Sequence, residues 1–198
     1  QLTLGRDGFL YIGVGESPNG AAEQMAQNPE SLLGKILRID PAGATVTEVE
    51  YRLDDDLAFP LESLLRVLSD KTKAVFIANP NNPTGRAVSL QCIEQILQIV
   101  PHSVVLIDEA YVEFSGITAL DFVRRYSNLF VSRTFSKAYG MAGLRCGCLI
   151  SQSNNIAWSR KAQSPYSVNV VAAIAASAAV SDTGWVAGYV RSVIESRT

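Results

Sequence analysis

Lys137 lies in the run Arg133-Thr-Phe-Ser-Lys137-Ala-Tyr-Gly-Met-Ala-Gly-Leu-Arg145, just past the apolar stretch Leu129 to Ser132. Hydroxyls flank it at Thr134 and Ser136, and Arg145 follows eight residues later. A lysine amine condenses with a carbonyl, and hydroxyls with a guanidinium hold a phosphate dianion. A polar turn between two strands would also read this way, but two upstream motifs argue against it. Asn82 sits in Asn79-Pro80-Asn81-Asn82-Pro83-Thr84-Gly85, after the apolar run Ala74 to Ala78. Asp108 and Tyr111 follow the apolar run Val104 to Ile107.

Asn82 and Asp108 are 26 residues apart, and Asp108 and Lys137 are 29 apart. Each interval is about one β-α unit of roughly 30 residues. Successive parallel strands therefore carry an amide, a carboxylate, a phenol and an amine to one sheet edge, where open α/β sheets place their ligand crevice. Pyridoxal 5'-phosphate uses all four. Lys137 would form a Schiff base with its aldehyde, and Asp108 would keep its ring nitrogen protonated. Asn82 and Tyr111 would hydrogen-bond its phenolic oxygen. Arg145, Thr134 and Ser136 would bind its phosphate.

The elements that must position these residues alternate from residue 45 onward. Strands are expected over Thr45 to Tyr51, Ala74 to Ala78, Val104 to Ile107, Leu129 to Ser132 and Leu144 to Ile150. Helices are expected over Leu61 to Leu68, from a Ser89 cap to about Ile99, over Leu120 to Tyr126, and over about 154–163, 168–180 and 182–196, the last capped by Ser181. This pattern predicts an α/β fold with a mainly parallel sheet flanked by helices. Residues 1–42 differ, being rich in Gly, Asn and Gln, with strand-like runs at Gly8 to Gly15 and Leu33 to Asp40.

The 198 residues carry a net charge of −2 with both signs interleaved, so no basic stripe points to nucleic acid. No apolar run is long enough to span a bilayer, and no secretory pattern opens the chain, which suggests a cytoplasmic setting. Three cysteines, Cys92, Cys146 and Cys148, do not form a disulfide framework; Cys146 and Cys148 are expected as two buried small residues on one strand face. One histidine, His102, in a turn beside Pro101, does not suit a Ser-His-Asp triad or a histidine-rich metal site, and no metal is expected. Asp108-Glu109 after an apolar strand is also found in P-loop ATPases, but Gly34-Lys35 is followed by Ile36 and lacks the earlier glycine.

Ile77-Ala-Asn-Pro-Asn-Asn-Pro-Thr-Gly85, Asp108-Glu-Ala-Tyr-Val-Glu-Phe114, Arg133-Thr-Phe-Ser-Lys-Ala-Tyr-Gly-Met-Ala-Gly-Leu-Arg-Cys-Gly147 and Gln163-Ser-Pro-Tyr-Ser-Val-Asn169 resemble fold-type I aminotransferases over about 43–198, histidinol-phosphate aminotransferases above all. The resemblance implies an incomplete pyridoxal-phosphate-binding large domain and a homodimer acting on small amino-acid and 2-oxo-acid substrates. The expected reaction passes an amino group between glutamate and imidazole-acetol phosphate in histidine biosynthesis, with Lys137 as general acid/base. The same motifs also occur in decarboxylases of phosphorylated amino acids. The family's N-terminal phosphate loop and its small domain beyond Thr198 are missing from this sequence, so impaired turnover, or a truncated chimera without turnover, is an expectation too. Residues 1–42, notably Asp7 to Gly15 and Ala26 to Pro41, resemble part of a blade of the β-propeller glucose/sorbosone dehydrogenases, foreign to the rest.

Overall fold

Five short apolar runs, most of them bounded by polar turn residues, become strands of one six-stranded sheet. The computed structural model describes residues 2–4, 10–12, 36–40, 45–162 and 168–197. Strands β1 (Leu2–Leu4) and β2 (Leu10–Ile12) pair antiparallel as a separate ribbon. The main sheet runs β4-β3-β5-β6-β7-β8, from β3 (Ile36–Asp40), β4 (Thr45–Val49), β5 (Ala74–Ala78), β6 (Val104–Asp108), β7 (Leu129–Thr134) and β8 (Gly147–Ile150). Its centre, β5-β6-β7, is parallel, and β3, β4 and β8 join antiparallel. The boundary expected at 42/43 falls between β3 and β4, which pair with each other. Most of the propeller-like stretch lies outside the described residues.

The helices are α1 (Leu61–Val67), α2 (Leu90–Ile99), the single turn α3 (Val112–Ser115), α4 (Ser153–Ala162), α5 (Val170–Ser181) and α6 (Thr183–Glu195). In α2, apolar residues recur at helical spacing, and Ser89 accepts the Cys92 N–H at 3.2 Å to close its first turn. Ile93, Ile96 and Leu97 pack on Val75, Ile77, Val105, Ile107, Leu129 and Val131 of the sheet, with Leu64 of α1 in the same core. The opposite sheet face holds the smaller cluster of Ala74, Phe76 and Leu106. A third cluster packs Ala172 and Ala176 of α5 on Cys146, with Phe135, Met141 and Leu144 around them. Among the described residues no single helix is long and apolar enough to cross a membrane.

Four expectations are corrected. The helix expected over Leu120 to Tyr126 is a 3-10 helix over Leu120–Arg124. Its tighter winding follows from Phe122 N–H bonding the Ala119 carbonyl, while Ala119 is itself tied to Glu109. The strand expected from Leu144 starts at Gly147, because 142–144 form a 3-10 turn that ends at Arg145 in the left-handed region, φ 52°. Asp182, not Ser181, caps α6 by accepting the Trp185 N–H at 3.1 Å. The Ser181 hydroxyl instead donates to the Ser177 carbonyl at 3.2 Å. Cys146 is buried but precedes the strand, whereas Cys148 is exposed, since β8 is an edge strand with its cysteine side uncovered. His102 stands in an exposed turn as expected.

Candidate active site

Because β5, β6 and β7 run parallel in register, their carboxyl ends lie side by side. Asp108 is the last residue of β6 and pairs across the ladder with Ser132 of β7. The Ser132 hydroxyl donates to Asp108 Oδ1 at 2.9 Å. Burial pushes the Asp108 carboxyl above the usual carboxylate range, and the neighbouring Glu109 charge adds to this. The Ser132 hydroxyl and the Ala110 N–H pull the other way by favouring the ionised form.

Tyr111 opens the one-turn α3, three residues beyond Asp108. Its hydroxyl lies 3.4 Å from Asn82 Nδ2, which projects from the turn after β5. That turn is held from within. Gly85 N–H donates to the Asn81 carbonyl at 2.8 Å, with Gly85 at φ +69°, a conformation that costs glycine nothing. Asn81 Nδ2 donates to Thr84 Oγ1 at 2.9 Å, and buried Asn79 accepts the Val88 N–H at 2.8 Å. Lys137, three residues past the end of β7, places its ammonium 5.3 Å from the centre of the Tyr111 ring. A cation at that distance from a phenol face is attracted by the ring quadrupole. Three strand ends thus bring Asn82, Tyr111 and Lys137 together, with Asp108 beside them on β6.

The other three predicted residues are placed more loosely. Thr134 Oγ1 accepts the Ser136 N–H at 3.1 Å, so the two hydroxyl residues share one turn. Arg145 is exposed, and its Nη1 donates to the Ala142 carbonyl at 3.1 Å, within its own turn. None of the seven predicted residues lines the cavity of about 600 Å³ between Glu113, Tyr139, α5 and α6. Among the described residues no cluster of histidine, cysteine, aspartate and glutamate could hold a metal ion.

Sequence reasoning missed the polar groups underneath. Glu109 is fully buried, and its carboxylate receives Arg133 Nε at 3.0 Å, Arg133 Nη2 at 2.8 Å and the Ala119 N–H at 2.6 Å. The Thr118 hydroxyl lies 2.9 and 2.8 Å from its two oxygens. The available signal was an arginine ending one apolar strand and a glutamate following the other. Ser132 carried no signal beyond its place opposite Asp108.

The sequence profile of the family "Aminotransferase class I and II" matches residues 38–198. The chain belongs to that family. The match opens inside β3, close to residue 43 where the resemblance was placed. Among its relatives, histidinol-phosphate aminotransferase 1 of Carboxydothermus hydrogenoformans is 37% identical over 151 residues, 76% of this chain and 42% of the relative. An aromatic amino acid aminotransferase of Rhodococcus opacus is 40% identical over 157 residues, 78% of this chain and 44% of the relative. The crystal structure of histidinol-phosphate aminotransferase from Sinorhizobium meliloti in complex with pyridoxal-5'-phosphate aligns with TM-score 0.61 at 27% identity, covering 69% of this chain and 39% of that one. The chain therefore spans about two-fifths of the length of the relatives it matches. The α/β fold expected from the motifs is the fold observed, a sheet with a parallel centre flanked by helices, and it aligns with that of the Sinorhizobium meliloti enzyme.

Proposed function

We propose that this chain binds pyridoxal 5'-phosphate through Lys137 and carries out transamination, with histidinol phosphate and 2-oxoglutarate as the amino donor and acceptor. The observation that carries the reading is the meeting of Asn82, Tyr111 and Lys137 at the edge where Asp108 ends β6. The donor set fits the cofactor. Lys137 would supply the amine for its aldehyde. Asp108 supplies the anion for its ring nitrogen, and Ser132 orients that carboxylate. Asn82 and Tyr111, already hydrogen-bonded to each other, can turn toward its phenolic oxygen. Thr134, Ser136 and Arg145 supply hydroxyls and a guanidinium for its phosphate.

When bound, the cofactor supplies an electron sink for charge developing at the substrate α-carbon. Asp108 sustains that sink only while ionised. Burial opposes its ionisation, and a cationic ring beside it would favour the ionised form. Lys137, once freed by substrate, would take the proton from the substrate α-carbon as general base and deliver it as general acid to the cofactor carbon that its amine had held. The Tyr111 ring favours the Lys137 side chain at this edge while its amine is protonated. The histidinol-phosphate assignment rests on relatives of that name, whereas the homodimeric assembly and cytoplasmic setting that go with it rest on the resemblance carried by the motifs. Small amino acids and 2-oxo acids are the partners; nucleic acid and membrane are not.

The test supplies the chain with pyridoxal 5'-phosphate, histidinol phosphate and 2-oxoglutarate and measures glutamate formed. The parent chain should form glutamate, and Lys137→Ala should lose on the order of 10²–10⁴ in rate from proton transfer alone. A parent that forms none, or a variant as active as the parent, overturns the reading. An aromatic amino acid preferred over histidinol phosphate would move the substrate and leave the chemistry in place.

A further inference from the structure

Neighbouring residues of a strand face opposite sides of a sheet. Asp108 and Ser132 are the last residues paired between β6 and β7, and the next residue after each, Glu109 and Arg133, meets its counterpart through side chains. The Glu109 N–H donates to the Ser132 carbonyl at 2.8 Å, and the Arg133 guanidinium meets the Glu109 carboxylate through both Nε and Nη2. The same guanidinium donates to Thr118 Oγ1 at 2.8 Å, and Ala119 N–H closes on the carboxylate from the loop beyond. Arg133 is held from its other side as well. Its residue partner on β8 is Cys148, and a Cβ at Gly147 would stand 2.7 Å from the Arg133 carbonyl, so the edge strand approaches there only because residue 147 is glycine.

We infer that Glu109 and Arg133 form a positioning clamp that fixes the separation of the two strand ends carrying Asp108 and Lys137, and that cofactor capture at Lys137 depends on this pair although neither touches the cofactor. The inference rests on Lys137 being the anchoring amine. Arg133 lies four residues before Lys137 and Glu109 one after Asp108, so a shift of either passes directly to the residues that must close on opposite ends of one rigid ring. A planar guanidinium sharing two N–H groups with one carboxylate has a single favourable geometry, which an ammonium does not reproduce. Misplacement by even about 1 Å at such a site is costly, on the order of a hundredfold in reactions that need alignment.

The test uses the whole chain and pyridoxal 5'-phosphate as probe. Parent, Glu109→Gln, Arg133→Lys and the core control Ile93→Val are titrated by absorbance of the lysine adduct, at a temperature where each is folded by far-UV circular dichroism. Circular dichroism within the adduct band is recorded at saturation, because it reports how the ring is oriented. Glu109→Gln and Arg133→Lys should weaken apparent affinity by about tenfold or more and lose at least about half of the adduct-band ellipticity, whereas Ile93→Val should match the parent in both. If Glu109→Gln does not fold, Arg133→Lys carries the same expectations, since it keeps the charge and removes only the fork. Parent-like affinity and ellipticity in the folded clamp variants overturn the clamp, as does an equal loss in Ile93→Val. A parent that forms no adduct at all overturns the reading of Lys137, and the clamp with it.

Discussion

Helices α2 and α5 are both rich in apolar residues, yet they use them in different ways. In α2, Ile93, Ile96 and Leu97 are at most 1% exposed, while Gln91, Gln95 and Gln98 face water. In α5, only Ala172 and Ala176 are buried, and Val170, Val171 and Ile174 are 72%, 65% and 67% exposed. Polar residues at helical spacing tell a helix which face to bury. Val170–Ser181 has almost none, and it meets the lysine turn through two alanines. Fully burying one Ile or Val side chain contributes about 1.5–3 kcal/mol, so the large side chains stabilise α2 strongly and α5 little within this chain.

The largest effect is expected where burial meets charge. Glu109→Ala should cost about 3–5 kcal/mol in urea unfolding, because it leaves the largely buried Arg133 guanidinium without its carboxylate. Ile93→Ala should cost about 3 kcal/mol by the same measurement, through lost burial and the cavity left behind. Ser89→Ala should cost about 1 kcal/mol, the worth of the cap on α2. Asp108→Asn should change how stability of the cofactor-free chain depends on pH. Burial raises the folded pKa of Asp108 above its unfolded value of about 3.9, so its contribution is favourable at low pH and is lost as pH rises through the folded pKa. The variant should therefore lose less stability than the parent as pH rises above about 4, read from paired unfolding curves. The smallest effect is expected from Ile174→Ala, within about 0.5 kcal/mol after allowing for helix propensity. A loss of several kcal/mol there would erase the contrast between the two helices.

The strand ends were legible because three features agree in the sequence. Apolar runs mark β5, β6 and β7, polar residues mark where each stops, and the intervals of about one β-α unit set them parallel. The Ser89 cap was legible for the same local reason. The clamp was not, because pairing Glu109 with Arg133 needs the ladder register, which spacing alone does not supply. Leu120 to Tyr126 reads as a helix in the sequence, while tertiary ties at Thr118 and Ala119 wind Leu120–Arg124 tighter. Cys148 was read as buried from strand alternation, which distinguishes the faces of a strand but not which face is covered. Arg145 was read for its charge and spacing, and neither reveals that its guanidinium turns back onto Ala142.

The most direct test of the account is covalent. The chain is incubated with pyridoxal 5'-phosphate, reduced with borohydride, digested and mapped by mass, beside Lys137→Ala treated in the same way. A pyridoxyl group on Lys137, with no equivalent yield at any other lysine and none in the variant, is the predicted result. An unmodified Lys137, or equal labelling spread over the surface lysines, would contradict it.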